Sequence, residues 1–153
     1  MKTVKWMLLG ALLVLVVVLL AAFAVSEEVT TITVVERAET DVVTHTGGNG
    51  ETGDTVGDIL TFANKVYDAD NAEEIGTDSG YCFRTVVGAA WECHWIVTLA
   101  DGQITVDGPF YDTGDSVLAI TGGTGAYSTA GGQMTLHWRN ETGTEFDFIY
   151  ELQ

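Results

Sequence analysis

Glu36 sits in a place where a carboxylate is seldom cheap. It follows Ile32 and Val34 at intervals of two in the stretch ITVVERA. In an extended chain, residues i and i+2 share a face. Two further polar residues fall on apolar faces in the same way. Asn64 follows Leu60 and Phe62, and Arg84 lies between Cys82 and Val86. A buried carboxylate is costly unless it is paired or held neutral by a raised pKa. So placed, it can give a proton to an apolar substrate or take one from it. Two plainer arrangements fit the same spacing: a structural ion pair between Glu36 and Arg84, or Glu36 at a wet rim.

Cys82 and Cys93 are the two cysteines of the chain. Residues 82–86 and 89–93 flank Val87-Gly88, which has the form of a two-residue hairpin loop. In that register residue 86 faces 89, and Cys82 faces Cys93 on one side of the sheet. Directly opposed cysteines on antiparallel strands are close enough for a disulfide. The rival is a free interior Cys82 touching a ligand. His45, His94 and His137 are far apart and make no metal-ligand spacing, so neither metal nor cofactor is expected. Ser116 and Ser128 have no His–Asp pair placed to activate them. GGTGAYSTAGG (122–132) lacks the Gly-Lys-Ser/Thr ending of a P-loop, and Ser128 replaces the last glycine of G-x-G-x-x-G. Its glycines suit a tight turn at the end of a barrel.

Strands must position these groups. From residue 29 on the hydrophobic period is two, and Gly, Asp and Asn cluster between the runs. Eight strands are expected at about 29–38, 57–67, 80–87, 90–99, 102–109, 115–121, 132–139 and 144–151. Residues 39–56 read as a long flexible loop. Short connections between regularly spaced strands predict an all-β fold, an eight-stranded antiparallel meander closed into a barrel. The inner face takes Ile32, Val34, Glu36 and Ala38 from the first strand, and Leu60, Phe62, Asn64 and Val66 from the second. Later strands add Trp91, Cys93, Trp95, Val97 and Leu99, then Ile104 and Val106, then Met134, Leu136 and Trp138, and last Phe146, Phe148 and Tyr150. A barrel of this size either fills with side chains or holds one small ligand. Aromatic walls formed by Phe62, Trp91, Trp95, Phe110, Trp138 and Phe148, with Cys82 beside them, suit a small hydrophobic guest. Tyr81, Phe83, Thr85 and Val87 make a second apolar face that points outward, as at a subunit interface.

The first 25 residues are of another kind. Lys2 and Lys5 precede an uncharged run from Trp6 to Val25, and Ala22-Phe23-Ala24 fits a small-x-small cleavage site. Residues 1–24 read as a signal peptide, or as an uncleaved anchor that would tie the protein to a membrane. The domain is then secreted or anchored outside the cytoplasm, with residues 25–56 giving the first strand and its loop and residues 57–153 the rest of the barrel. The chain carries a net charge of −16, and beyond the leader only Arg37, Lys65, Arg84 and Arg139 are basic. That field repels nucleic acid and anionic lipid.

Four stretches resemble one family: GDILTFANKVYD (57–68), IGTDSGYC (75–82), ITVDGPF (104–110) and DSVLAITGGTGAYSTAGGQMTL (115–136). They are similar to plant allene oxide cyclases, and more so to bacterial proteins with an allene oxide cyclase barrel-like domain. Dirigent proteins are distant relatives. The resemblance spans residues 57–151 well and 29–56 loosely. It implies an eight-stranded lipocalin-like barrel and a trimer. It also implies an apolar cavity with a first-strand glutamate and a bound water at one end, where the enzyme chiefly holds a fatty-acid epoxide in its folded conformation while a five-membered ring closes. Carried over by position, Glu36 matches that glutamate, Asn64 an asparagine that helps hold the water, and Cys82 a cavity cysteine. The family's asparagine two residues after the glutamate is Ala38 here. Its serine-proline pair falls at Thr44 and His45, and one tyrosine is Phe110.

Three functions follow as expectations. The first is a cyclase or isomerase, or a dirigent-like protein, that steers a lipophilic substrate with Glu36 as acid or base and Asn64 orienting a water or oxyanion. The second is a non-catalytic barrel that carries a lipophilic compound. The third is a structural trimer with a filled interior.

Overall fold

A computed structural model describes residues 29–47 and 53–153. The leader or anchor expected at residues 1–24 lies outside the described residues. The strands are β1 (Thr30–Arg37), β2 (Val42–Thr44), β3 (Ile59–Tyr67), β4 (Glu74–Val86), β5 (Ala90–Leu99), β6 (Gly102–Tyr111), β7 (Ser116–Gly123), β8 (Gly132–Trp138) and β9 (Glu145–Leu152). They run β1-β9-β8-β7-β6-β5-β4-β3-β2, every neighbour antiparallel, and β1 also pairs with β3. That last pairing closes an eight-stranded barrel, with β2 as an extra strand laid on the other half of β3. Closure leaves no long unpaired edge for another chain to extend.

Alternation places the core as expected. Val34, Leu60, Val66, Trp95, Val97, Ile104, Val106, Met134, Leu136, Phe146, Phe148 and Tyr150 are all buried. Each large apolar side chain withdrawn from water contributes roughly 1.5–3 kcal/mol. Outward residues Tyr81, Phe83, Val86 and Val87 are exposed, and the Tyr81 and Phe83 rings meet edge to face.

Three boundaries differ from the sequence expectation. The segment 39–56 is not wholly loop, because Val42–Thr44 pairs with Ile59–Thr61 as β2. Asp58 anchors the end of that segment. It is fully buried and accepts hydrogen bonds from the Thr46 and Thr55 amides and the Thr55 hydroxyl, with the His45 ring at 2.7 Å. These bonds, Thr55's hydroxyl foremost, hold its carboxyl well below the usual range. Next, β4 begins six residues earlier than expected, at Glu74. IGTDSG reads as turn by composition, yet the long β5 needs a partner along its whole length. Gly76 and Gly80 permit the pairing, since a Cβ at Gly80 would run into Trp95. Last, the β4–β5 hairpin carries a bulge. Cys82 does face Cys93, but Val86 faces Ala90 rather than residue 89, and the register shifts between Arg84 and Val86.

The glycine-rich stretch is structural. β7 ends at Gly123, one 3-10 turn spans Gly125–Tyr127, and β8 starts at Gly132. Gly132 has φ 115° and lies against the Glu151 carbonyl, where a side chain would clash.

Candidate functional site

One end of the barrel interior is open as a cavity of about 210 Å³. Its walls include Leu60, Phe62, Cys82, Trp95, Phe110, Leu136, Trp138, Phe146 and Phe148, and its polar lining includes Glu36, Asp41 and Thr142. The interior is therefore not filled, contrary to the third expectation. Deeper in, Val66, Val97, Ile104, Met134 and Tyr150 are fully buried and pack together as the core. The aromatic rings form two groups. Trp95 stacks on Phe148 at 5.5 Å and takes Phe62 on its edge at 5.9 Å. Phe110 and Trp138 lie nearly parallel at 6.4 Å, with Phe146 edge-on to both. Gly143, with φ 64°, packs its backbone on the Trp138 ring and so fixes the β8–β9 turn over that wall.

Glu36 is 4 % exposed and lines this cavity. Its position follows from β1, which pairs with β9 on one side and β3 on the other. Glu36 faces Phe146 and Val66 across those ladders. Burial pushes its pKa up to about 8 against the opposing hydrogen bond from Asn64, and the Asp41 charge adds to the rise. A carboxyl shifted this way keeps its proton to higher pH than an exposed glutamate does.

Asn64 is the fastener of the site. Its Nδ2 donates to Glu36 Oε1 at 2.6 Å and to Asp41 Oδ1 at 2.7 Å. Its Oδ1 accepts from the Glu39 and Thr40 amides and from the Thr40 hydroxyl. Both ends of the amide are engaged, so it cannot flip without losing bonds at each end. The bond to Glu36 uses Oε1 alone and leaves Oε2 for a guest. Asn64 itself sits behind the wall and does not line the cavity.

The Glu36–Arg84 ion pair is not formed. Arg84 is buried over the Trp91 ring at 3.8 Å, and its guanidinium binds Asp54 and Asp112. Trp91 is correspondingly withdrawn: its indole N–H donates to Asp112 at 3.0 Å, and it is not part of the cavity wall. Cys82 lines the cavity, but as half of a disulfide with Cys93, so it offers no free thiol. Phe62, Trp95, Phe110, Trp138 and Phe148 all line the cavity beside Glu36.

Two acids escaped the sequence reading. Asp41 follows β1 in a segment without period, and only its bond from Asn64 brings it to the rim. Burial raises its pKa and the Asn64 bond opposes the rise. Asp78 is 1 % exposed, and no side chain hydrogen-bonds to its carboxyl oxygens; the backbone amides of Asn64 and of Asp78 itself offset only part of its burial. It lies directly across the β3–β4 ladder from Asn64. Burial, then the Glu36 charge, raises its pKa well above the ordinary value. The signal for it was present: counting back by two from Cys82 gives Gly80 and then Asp78 on the inner face. Tyr150 is also fully buried, its pKa raised by burial and then by the Asp78 charge, against the neighbouring Trp95 side chain.

Solved structures with this fold span several chemistries. One described as pyocyanin demethylase is 24 % identical, covers 79 % of this chain and 100 % of its own, and superposes with a TM-score of 0.65. The pterocarpan synthase dirigent protein PsPTS1 is 14 % identical over 82 % of this chain and 94 % of its own, with a TM-score of 0.65. AbnU, an exo-specific intermolecular Diels-Alderase, is 14 % identical over 82 % of this chain and 98 % of its own, with a TM-score of 0.61. At these identities the likeness establishes the fold. The family model described as allene oxide cyclase matches residues 25–140, more than half of the sequence, and the chain belongs to that family.

Proposed function

We propose that this protein is a small-molecule cyclase or isomerase of the dirigent-like kind, which folds a lipophilic substrate in the barrel and offers it a proton from Glu36. The observation that carries the proposal is a buried carboxyl, its pKa raised by burial and its Oε1 held by Asn64, at an aromatic-lined cavity. Catalysis of this type needs no nucleophile. The walls restrict the substrate to one reactive shape, and an acid in a water-poor site stabilises charge as it develops. In this scheme Trp95, Phe148 and Phe62 form one supporting surface and Phe110 with Trp138 another. Family membership and a fold shared with dirigent and Diels-Alderase barrels support a cyclase-like role.

A non-catalytic carrier is the second reading, and the disulfide favours it. In the family resemblance the matching cysteine stands near the reacting part of the substrate; here its sulfur is bonded to Cys93. The proposal also has the chain exported, cut after Ala24 or held by the same segment, and assembled as a trimer through the exposed Tyr81–Phe83 face.

Protein purified from its native host is extracted, and the bound compound is identified by mass spectrometry. Its conversion is then followed with wild type and with Glu36→Gln. The proposal expects near-equal affinity and loss of turnover in the variant. Undiminished turnover by Glu36→Gln sinks the acid role. Tight binding with no conversion by wild type establishes the carrier instead.

A further inference from the structure

Nothing on the cavity wall can neutralise an anion. Among the described residues that line it there is no lysine, arginine or histidine. Arg37 binds Asn71 and stacks on Tyr67, Lys65 pairs with Glu74, Arg84 with Asp54 and Asp112, and Arg139 with Asp147. The polar groups that remain are few. Thr142 donates its hydroxyl to Asn140 at 3.0 Å. Asp41 stands at the rim with one oxygen taken by Asn64. Glu36 is the buried one, and Asn64 decides which of its oxygens carries a proton. The backbone amides of Glu39 and Thr40 donate to Asn64 Oδ1 and so fix which end of that side chain is nitrogen. Nδ2 therefore donates to Glu36 Oε1, and an acidic proton on the same carboxyl belongs to Oε2. Among the described residues Oε2 has no hydrogen-bond partner, and its carboxyl lines the cavity.

We infer that the cavity takes a compact, uncharged ring compound and holds it by a carbonyl oxygen that accepts a hydrogen bond from Glu36 Oε2. This rests on the proposed function and deepens it by naming the substrate class of the same site. Burial supports the donor, since it favours the protonated carboxyl up to about 8. Asp41, Asp78 on β4 and Tyr150 on β9 are the titratable groups coupled to Glu36 by charge. All three are acids, so none draws the proton off. Trp138 is an independent sign. It lines the cavity, and its indole N–H is buried without a partner. An unpaired buried donor costs stability in the free protein. A guest with an acceptor oxygen answers a wall that holds donors and no cation. Size narrows the class. An apolar cavity of about 150 Å³ binds benzene, so about 210 Å³ suits one or two fused rings rather than a long acyl chain. Trp95, Phe148 and Phe110 offer flat faces to such rings. An anion meets no cation on the wall, and the net charge of −16 opposes its approach.

Three probes of one outline test this by titration calorimetry on the full-length protein: 2-acetylnaphthalene, 2-isopropenylnaphthalene and 2-naphthoate. They present an uncharged carbonyl, the same shape without an acceptor, and an anion. The ketone is expected to bind once per chain and about tenfold or more tighter than the naphthoate. From wild type to Glu36→Leu, the ratio of ketone to hydrocarbon affinity should fall about tenfold. Glu36→Gln keeps a donor in place of Oε2 and should hold that ratio within about threefold. In wild type the ratio should also decline as pH rises through about 8, and in Glu36→Gln it should not. Infrared spectroscopy gives a second reading: the carbonyl stretch of the bound ketone should lie below its frequency in cyclohexane. A stretch at the cyclohexane frequency in wild type overturns the inference whether or not Glu36→Leu folds. So does an unchanged ratio in a Glu36→Leu protein that still binds the hydrocarbon, or naphthoate bound as tightly as the ketone. If ketone and hydrocarbon bind with no carbonyl signature, the inference fails and the cavity of the proposed function stands. If none of the three binds, both fall. If the signature is present but Glu36→Gln converts the extracted native compound as fast as wild type, the inference holds and the acid role falls.

Discussion

Glu36 links site chemistry to folding stability. Its folded pKa of about 8 lies above the ordinary 4.5, so the folded chain holds this proton more tightly than the unfolded one. The contribution is fully present below about 4.5 and is lost as pH rises through about 8. Asp78 is shifted in the same direction by the same burial, and deepens the trend. Wild type is therefore expected to lose stability steadily from pH 5 to pH 9 in urea titrations. Glu36→Gln, which can still accept the Asn64 bond, should flatten that slope and be the more stable protein at pH 9 by on the order of a few kcal/mol. A parallel pair of curves would show that Glu36 is ionised in the folded state. Turnover that depends on the acid form should likewise decline above about pH 8.

Period two revealed the faces of the elements, and with them Glu36, Asn64 and Arg84, because each strand is buried on one side and wet on the other. It could not reveal depth. Trp91 shares the inner face with Trp95, yet Arg84 covers it and removes it from the cavity. Nor could composition extend β4 through IGTDSG, where glycines serve close packing rather than turning, and so Asp78, though in phase with Cys82, fell in what read as a turn. Asp41 is visible only in three dimensions, since a hydrogen bond and not a strand places it. Two tests belong to the β4–β5 hairpin. Arg84→Ala leaves Asp54 and Asp112 without their shared cation and Trp91 without its cover, an expected cost of about 2–4 kcal/mol in chemical unfolding. The Cys82–Cys93 bond closes a short loop of sequence separation 11, and its removal by paired Cys→Ala changes is expected to cost about 2–3 kcal/mol. Unfolding midpoints unchanged by dithiothreitol would contradict the bond.

For the molecule as a whole, the proposed trimer rests on the exposed rings of Tyr81 and Phe83 on β4. If that assembly forms, wild type should sediment as a trimer and a Tyr81→Glu/Phe83→Glu variant as a monomer, with the barrel's circular dichroism retained; identical sedimentation of the two would remove this face from the interface. Closed topology was readable from strand spacing, but the way the barrel closes was not. β1 meets β3 only at Val35, Glu36 and Arg37, opposite Tyr67, Val66 and Lys65, before the chain leaves to form β2. The other ladders of the wall are longer, and this one adjoins both Glu36 and the Asn64-bound segment that carries Asp41 to the rim. The barrel is thus stitched most lightly beside its own mouth. Local opening takes the path with fewest bonds to break, so amide exchange should be fastest along this short seam. A guest too broad for the resting aperture then enters as often as the seam parts. Its on-rate, more than its affinity, becomes a property of three residue pairs.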